Sequence, residues 1–264
     1  MPDVLAAHDV ALVRAANPGP LTLTGTNTWL VGRDPCWVID PGPLLEEHVA
    51  AVLAEGAARG GIAGIAITHD HADHAQAAPE LARRAGGAGV FAARATGATP
   101  IADHATLGPL RAIAVPGHAT DHLCFAAGSV CFTGDAVLGE GSVFIAPDPG
   151  ALRGYLAGLE RLRAEGFAVL APGHGPAVTD PDARLRGYID HRLDRERRLV
   201  AALDGGARTI DALLDAAWDD VPDALRLPAT VTLCAHLDKL EEEGRLPAPV
   251  GRPAWLADLR GHAH

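Results

Sequence analysis

The sequence contains no long apolar segment. A transmembrane helix needs roughly 18 or more consecutive apolar residues, and no such run occurs in the 264 residues. The first residues, Met1-Pro2-Asp3-Val4, also lack the basic stretch and the continuous apolar stretch of a secretory signal. These absences predict a protein that acts in the cytoplasm and has no membrane partner.

Cysteine, aromatic residues and positive charge are all scarce. The four cysteines form no CxxC pair, which is typical of a reducing compartment in a chain of this size. Aromatic residues make up 4%, so a platform for stacking nucleic acid bases would be sparse. The formal net charge of -11 disfavours binding to duplex DNA unless positive charge is concentrated locally. Lys239 is the only lysine, so arginine carries nearly all of the positive charge.

The hydrophobic share of 48% is that of a globular protein, and its pattern changes along the chain. Over residues 1–180, short apolar runs alternate with helical patterns, which predicts a domain of the α/β class. Residues 181–264 carry helical patterns over 182–203, 210–218 and 230–243, followed by a predicted short β-hairpin over 245–256. This order predicts a small winged-helix-like domain at the C-terminal end.

Histidine is in excess, with 13 in the chain, and several histidines are clustered with aspartate. His69, His71, Asp73 and His74 directly follow a predicted buried strand. Residues i and i+2 of an extended backbone point the same way, so His69 and His71 can bind one ion. Asp73 and His74 turn toward a second ion close by, and imidazole and carboxylate are ligands that suit zinc. The alternative is a solvated loop that happens to be rich in His and Asp.

Three further residues follow predicted strands in the same manner. His118 lies in Pro-Gly-His-Ala-Thr-Asp-His, Asp135 in Thr-Gly-Asp, and His174 in Pro-Gly-His-Gly. Each has a glycine beside it, which permits a tight turn. Alone, each would more often be a structural residue; together with the histidine cluster they predict a metal site.

This constellation resembles the metallo-β-lactamase superfamily, whose pattern is HxHxDH followed by His, Asp and His after successive strands. The resemblance implies an αββα sandwich of four layers with a dinuclear centre. By that pattern the first metal is bound by His69, His71 and His118, the second by Asp73, His74 and His174, and Asp135 bridges both. Two zinc ions are implied, with iron or manganese as alternatives. Asp40, in Val-Ile-Asp-Pro-Gly, matches an early strand-end Asp of the family, and we expect it to orient ligands rather than to bind metal.

Paired metal ions lower the pKa of a bridging water, so that hydroxide exists at neutral pH and attacks a carbonyl carbon or a phosphorus atom. We expect Asp73 to orient this nucleophile and to receive its proton. The leaving group needs a proton from water or from a nearby side chain, and His122 is one candidate. The competing interpretation makes His122 a structural residue at the start of a hairpin.

Several stretches resemble the beta-lactamase-like protein 2 subfamily. They include Asn-Thr-Trp-Leu-Val-Gly at 27–32, Pro-Gly-His-Gly-Pro at 172–176 and Tyr-Ile-Asp-His-Arg at 188–192. That subfamily includes an endoribonuclease acting on single-stranded RNA, and related proteins include thioesterases that release polyketides from a carrier protein. The resemblance implies a hydrolase of a phosphodiester or of an acyl ester or thioester. A thioesterase similar to hydroxyacylglutathione hydrolase, which shares the seven ligands, is the alternative to the endoribonuclease.

The predicted winged helix suggests a function of another class, a DNA-binding regulator that uses the metal domain as a sensor. Residues 180–264 carry 12 Lys and Arg against 16 Asp and Glu, whereas a recognition helix normally needs positive charge. We therefore expect the tail to form a wall of the substrate cleft or the surface of a homodimer. The arginines within 184–198 either line a path for an anionic chain or, as we favour, lie on a solvated helix paired with Asp190, Asp194 and Glu196.

Overall fold

The computed structural model describes residues 5–259 and contains two β-sheets. The first sheet has its six strands in chain order: β1 (Val10–Arg14), β2 (Asn27–Val31), β3 (Cys36–Ile39), β4 (Ile62–Ala66), β5 (Gly89–Ala92) and β6 (Thr99–Pro100). Its strands are antiparallel from β1 to β3 and parallel from β3 to β6.

The second sheet runs in the order β11-β10-β9-β8-β7. Its strands are β7 (Thr106–Leu107), β8 (Leu110–Ala114), β9 (Leu123–Ala127), β10 (Val130–Gly134) and β11 (Val169–Pro172). All neighbours in it are antiparallel except β10 and β11. These two are parallel because a helix over Ala151–Glu165 connects them.

Beyond the first turn of the chain, the described residues 5–259 form eight α-helices and one 3-10 turn. They are α1 (Glu46–Ala58), α2 (Ala72–Ala75), α3 (Ala78–Arg84), α4 (Ala151–Glu165), α5 (Pro181–Asp204), α6 (Ile210–Ala217), the 3-10 turn Asp223–Leu225, α7 (Arg226–Glu242) and α8 (Leu256–Leu259). No helix among these residues has the length and apolar character needed to cross a membrane.

The strands place alternate side chains on opposite faces, as their period of two requires. In β9, Leu123 and Phe125 join the core between the two sheets, whereas Cys124 and Ala126 join the core on the outer face. Burying one large apolar side chain stabilises a fold by about 1.5–3 kcal/mol, so this alternation holds each sheet to both of its neighbouring layers.

Helices cover the outer face of each sheet. Val52 of α1 and Leu81 of α3 pack with Ile65 on the first sheet, and Tyr155 and Leu159 of α4 pack in the core outside the second. The layers are therefore helix, sheet, sheet and helix, which confirms the predicted αββα architecture.

Prolines interrupt the regular structure at two places. Residues 72–84 form two short helices, α2 and α3, because Pro79 lies in the first turn of α3 and has no N–H to continue α2. The hairpin predicted over 245–256 is absent, since no strand occurs there in the described chain. Pro247, Pro249 and Pro253 remove three of the donors that such a ladder would need.

The tail helices form a core of their own. Leu199 of α5, Leu214 of α6 and Leu237 of α7 belong to one cluster of buried side chains. Every residue of α7 from 229 to 237 is buried, so this helix offers little free surface to enter a DNA groove.

A buried ion-pair network joins α5 to α7. Glu196, 6% exposed, accepts hydrogen bonds from the Lys239 ammonium at 2.8 Å and from Arg245 at 2.7 Å. Lys239 also pairs with Glu243 at 2.9 Å. The only lysine of the chain is therefore enclosed between two carboxylates, where it holds the helices together.

Candidate metal centre

The histidine cluster lies where β4 leaves the first sheet. His69 follows the strand within two buried residues, and His71 has an extended backbone before α2 begins (φ -77°, ψ 143°). Asp73 and His74 then lie on the first turn of α2. The change from strand to helix within six residues is what directs four ligand-type side chains to one place.

Three strand ends of the second sheet meet this cluster. His118 follows β8, Asp135 follows β10 and His174 follows β11. All seven residues predicted as metal ligands thus come together at one end of the sandwich. Their convergence follows from the topology, because each comes directly after a strand that ends at this edge.

Glycine is required where these loops approach one another. A Cβ atom on Gly173 would lie 2.6 Å from His74 Cε1 and 2.7 Å from Asp135 Oδ1. A Cβ atom on Gly134 would lie 2.5 Å from Thr68 Oγ1. Any larger residue at either position would displace a side chain of the cluster.

The ligand-type atoms form two groups. In the first, His71 Nδ1 lies 2.9 Å from His69 Nε2 and 3.1 Å from His118 Nε2. In the second, His174 Nε2 lies 3.3 Å from His74 Nε2 and 3.2 Å from Asp73 Oδ2. Each group brings its atoms within 4.8 Å of one another, as the ligands of one ion require.

Asp135 lies between the two groups. Its Oδ2 is 3.6 Å from His118 Nε2 and 3.4 Å from His174 Nε2, and its Oδ1 is 3.5 Å from His74 Nε2. Oδ1 is buried and has no hydrogen-bond partner within residues 5–259. A buried carboxylate oxygen without a donor is costly, and a cation would satisfy it, so the residues fit two divalent metal ions.

The electrostatics of the site also suit cations. Burial lowers the pKa of His118 to about 4, so its imidazole is neutral, the form that binds metal. Burial alone would also lower the pKa of His174, but the carboxylates of Asp135 and Asp73 raise it to about 9. Those carboxylates therefore stabilise a positive charge beside them. A metal ion bound by the neutral His174 imidazole would supply that charge.

Asp40 supports the cluster from behind. Its Oδ1 accepts the Thr68 N–H at 2.8 Å, and its Oδ2 accepts the Thr68 hydroxyl at 2.8 Å and lies 2.9 Å from His74 Nδ1. The backbone of Asp40 has a positive φ of 52°, a strained conformation for a residue other than glycine. Because Asp40 contacts His74 through Nδ1, the other ring nitrogen, Nε2, is free to face the second group of ligand-type atoms.

His122 is placed behind the cluster. It is 1% exposed, its ring stacks on His69 at 4.9 Å, and its Nε2 accepts the Asp135 N–H at 3.1 Å. The other ring nitrogen is buried and has no partner in the described chain. With neither nitrogen reaching the cleft, the geometry favours the structural interpretation over the proton-donor role.

Two cavities open from the site. The first, about 350 Å³, and the second, about 300 Å³, both touch Leu21, His118 and Phe144. The first cavity is further lined by His71, Arg94, Asp121, Ala146 and Val231. The second cavity is further lined by Asp135, Ser142, His191, Arg192, Trp218 and Thr232.

Sequence reasoning missed the cavity residues. Phe144 lines both cavities, and its ring centroid lies 4.7 Å from that of His118, but it belongs to a loop without a recognisable motif. His191 has no predicted role, and Arg192 is one of the arginines for which the sequence favours a solvated helix over a path for an anionic chain. Residues of the tail therefore line the second cavity, in agreement with the expectation that the tail forms a wall of the substrate cleft.

Comparison with known proteins adds two matches to families. Residues 21–105 match the metallo-beta-lactamase superfamily, and residues 209–247 match the beta-lactamase associated winged helix domain. The chain is 30% identical to the beta-lactamase-like protein 2 homolog of Caenorhabditis elegans, covering 91% of this chain and 86% of that protein. The chain belongs to the metallo-beta-lactamase superfamily. It is a hydrolase of that fold with a C-terminal winged-helix domain, as its sequence predicts.

Two further members of the superfamily are informative. The atrochrysone carboxyl ACP thioesterase of Aspergillus fumigatus is 32% identical over 87% of this chain and 77% of its own length. A metallo-beta-lactamase family protein of Thermus thermophilus superposes with a TM-score of 0.73 at 23% identity, covering 89% of this chain and 94% of that one. The latter likeness concerns the fold alone, and the fold implies divalent metal binding.

Proposed function

We propose that the chain hydrolyses acyl thioesters at a centre of two divalent cations, zinc in the first instance. His69, His71 and His118 would hold one cation, Asp73, His74 and His174 the other, and Asp135 would contact both. When bound, such a pair supplies a hydroxide nucleophile at neutral pH and stabilises negative charge that develops on the attacked oxygen. Iron and manganese suit the same donors, and analysis of the metal content of the purified protein decides among the three.

The chain's own residues would perform the remaining tasks. Asp73 has 29% of its side chain exposed, whereas His74 beside it is fully buried, so the Asp73 carboxylate is the more accessible of the two. Its carboxylate would receive the proton that the attacking water loses. The Thr26 hydroxyl lies 3.4 Å from Asp73 Oδ2 and orients it.

The pair of cavities is the observation that carries the choice of a thioester. A thioester has two arms that leave one carbonyl carbon, and two cavities of this protein are both lined by His118 and Phe144. Leu21 and Phe144 give the two cavities a shared apolar wall. The relative in Aspergillus fumigatus, named as a thioesterase, supports the same class of substrate.

Single-stranded RNA fits these walls less well. A groove for single-stranded RNA needs aromatic platforms on which its bases stack. Trp218 and Phe144 are the aromatic side chains of the second cavity, and Phe144 alone is the aromatic side chain of the first. Endoribonuclease activity therefore stays a prediction of the sequence and enters the test as its competing outcome.

The test measures thiol release from pentanoyl-N-acetylcysteamine by the zinc-loaded protein, with cleavage of a labelled single-stranded RNA measured in parallel. Asp135→Asn should abolish thiol release, because it removes the carboxylate shared by both groups. Asp219→Asn, at a side chain that is 60% exposed in the tail, is the matched control and should keep the activity. RNA cleavage that depends on Asp135, without thiol release, would refute the proposal.

A further inference from the structure

Arg192 on α5 is a buried cation without a carboxylate partner. It is 2% exposed, and no Asp or Glu oxygen of residues 5–259 makes an ion pair with it. Its guanidinium donates to the Ser142 hydroxyl at 3.0 Å and to the carbonyl oxygen of Val143, and its Nε–H has no partner in this part of the chain. Burying a charge without a counter-ion is strongly unfavourable, so this position calls for an anion.

The neighbouring arginines show the contrast. Arg195, one helical turn away on α5, is 4% exposed but pairs with Asp220 at 2.6 Å. Arg197 pairs with Asp194 at 2.9 Å in solvent, as expected for a solvated helix. For Arg192 and Arg195 that expectation is wrong, since the tail helices cover this face of α5.

Arg192 lines the second cavity, which also contains Asp135 and His118 of the candidate metal centre. Besides Asp135, the acidic residue that lines this cavity is Glu140. Its side chain is exposed and makes no ion pair with Arg192 in residues 5–259. An anionic group in the cavity would therefore meet the guanidinium within the same enclosed space that adjoins the reacting centre.

His191 adds a second donor to this wall. Its Nε2 accepts the Arg195 Nε–H at 3.1 Å, so a neutral ring carries its proton on Nδ1. Burial, together with the charges of the adjacent Arg192 and Arg195, lowers the pKa of His191 to about 4 and so keeps the ring neutral. A neutral imidazole that donates from Nδ1 can bind an oxyanion alongside Arg192.

We propose that Arg192, with His191, forms a subsite for an oxyanion of the substrate, a carboxylate or a phosphate, in the second cavity. The inference rests on the proposed function, in that a thioester is the molecule that carries this group. The oxyanion lies either on the acyl arm, as in a dicarboxylic acyl group, or on the thiol arm, as in phosphopantetheine.

Two matched pairs of substrates distinguish these sources. Glutaryl- and pentanoyl-N-acetylcysteamine differ in a terminal carboxylate on the acyl arm, and pentanoyl-phosphopantetheine and pentanoyl-pantetheine differ in a phosphate on the thiol arm. We expect kcat/KM to favour the anionic member of one pair by about ten- to a hundredfold, the worth of a hydrogen bond to a charged group. Equal kcat/KM within both pairs in the wild-type protein would overturn the inference.

Arg192→Gln should bring the favoured pair to near parity. A purely structural role, such as holding the loop at Ser142, would instead lower kcat/KM equally for both members. Arg186→Gln is the matched control, because Arg186 lies on the same helix with 56% of its side chain exposed and pairs with Asp182. It should keep the wild-type preference.

A binding measurement separates failure of this inference from failure of the proposed function. Glutarate and inorganic phosphate are added to the zinc-loaded protein, and Tm is recorded for the wild type and both variants. If no thioester is hydrolysed, a rise in Tm that Arg192→Gln loses and Arg186→Gln keeps still supports the subsite. An equal rise in all three proteins, or none in the wild type, overturns it.

Discussion

Gly173→Ala is expected to disorganise the metal centre without straining the backbone. The φ of Gly173 lies outside the left-handed region, so alanine meets no conformational penalty there. Its new methyl group would lie 2.6 Å from His74 Cε1 and 2.7 Å from Asp135 Oδ1, well inside van der Waals contact. Inserting a methyl group into such packing costs about 1–3 kcal/mol, and the cost falls on two proposed ligands at once.

That cost converts to a loss of metal affinity of about five- to a hundredfold, at about 1.4 kcal/mol for each factor of ten. The measurement is a zinc titration against a chromogenic chelator, together with Tm of the metal-loaded protein. Gly187→Ala is the matched control, because a Cβ atom on Gly187 meets nothing within 4 Å and lies within α5. It should keep the zinc affinity and raise stability by about 0.5–1 kcal/mol. Unchanged zinc affinity in Gly173→Ala would refute the packing argument.

Three further outcomes are expected. Asp40→Asn should weaken zinc binding by about ten- to a hundredfold in a calorimetric titration, because an amide cannot supply the charge that faces His74 Nδ1; wild-type affinity would contradict the role of Asp40. Glu196→Gln should lower the free energy of unfolding in urea by about 3 kcal/mol, since it leaves Lys239 and Arg245 without their shared carboxylate, and a loss below about 1 kcal/mol would mean that Glu243 suffices. The four cysteines are buried free thiols, so they should react with Ellman's reagent only after unfolding, and rapid reaction of the folded protein would show that one of them is accessible.

The sequence reveals the chemistry of the site because that chemistry is written locally. His69, His118 and His174 each follow a buried strand and stand beside residues that permit a turn, so their positions at strand ends could be predicted. That Asp135 lies between the two groups depends on how the sheets face each other. The spacing of residues within each motif contains no information about how the sheets face each other. Only the resemblance to the superfamily predicts that Asp135 lies between the two groups.

The tail could be predicted less well. Arg192 and Arg195 occur among acidic residues, a pattern typical of a solvated helix face, yet both are buried. Their burial depends on α7, whose sequence lies far along the chain. The hairpin predicted after α7 is absent for a local reason, since the prolines there deprive a ladder of donors.

The enclosure of Lys239 has a chemical consequence for an enzyme of acyl thioesters. Such compounds are electrophiles whose acyl groups are transferred to unprotonated amines, giving an amide and a free thiol. An exposed lysine side chain is an amine that such a substrate can acylate. This chain has a single lysine, 9% exposed, whose ammonium pairs with Glu196 at 2.8 Å and with Glu243 at 2.9 Å and is enclosed by them. The folded protein thus offers no lysine side chain that its proposed substrate could acylate.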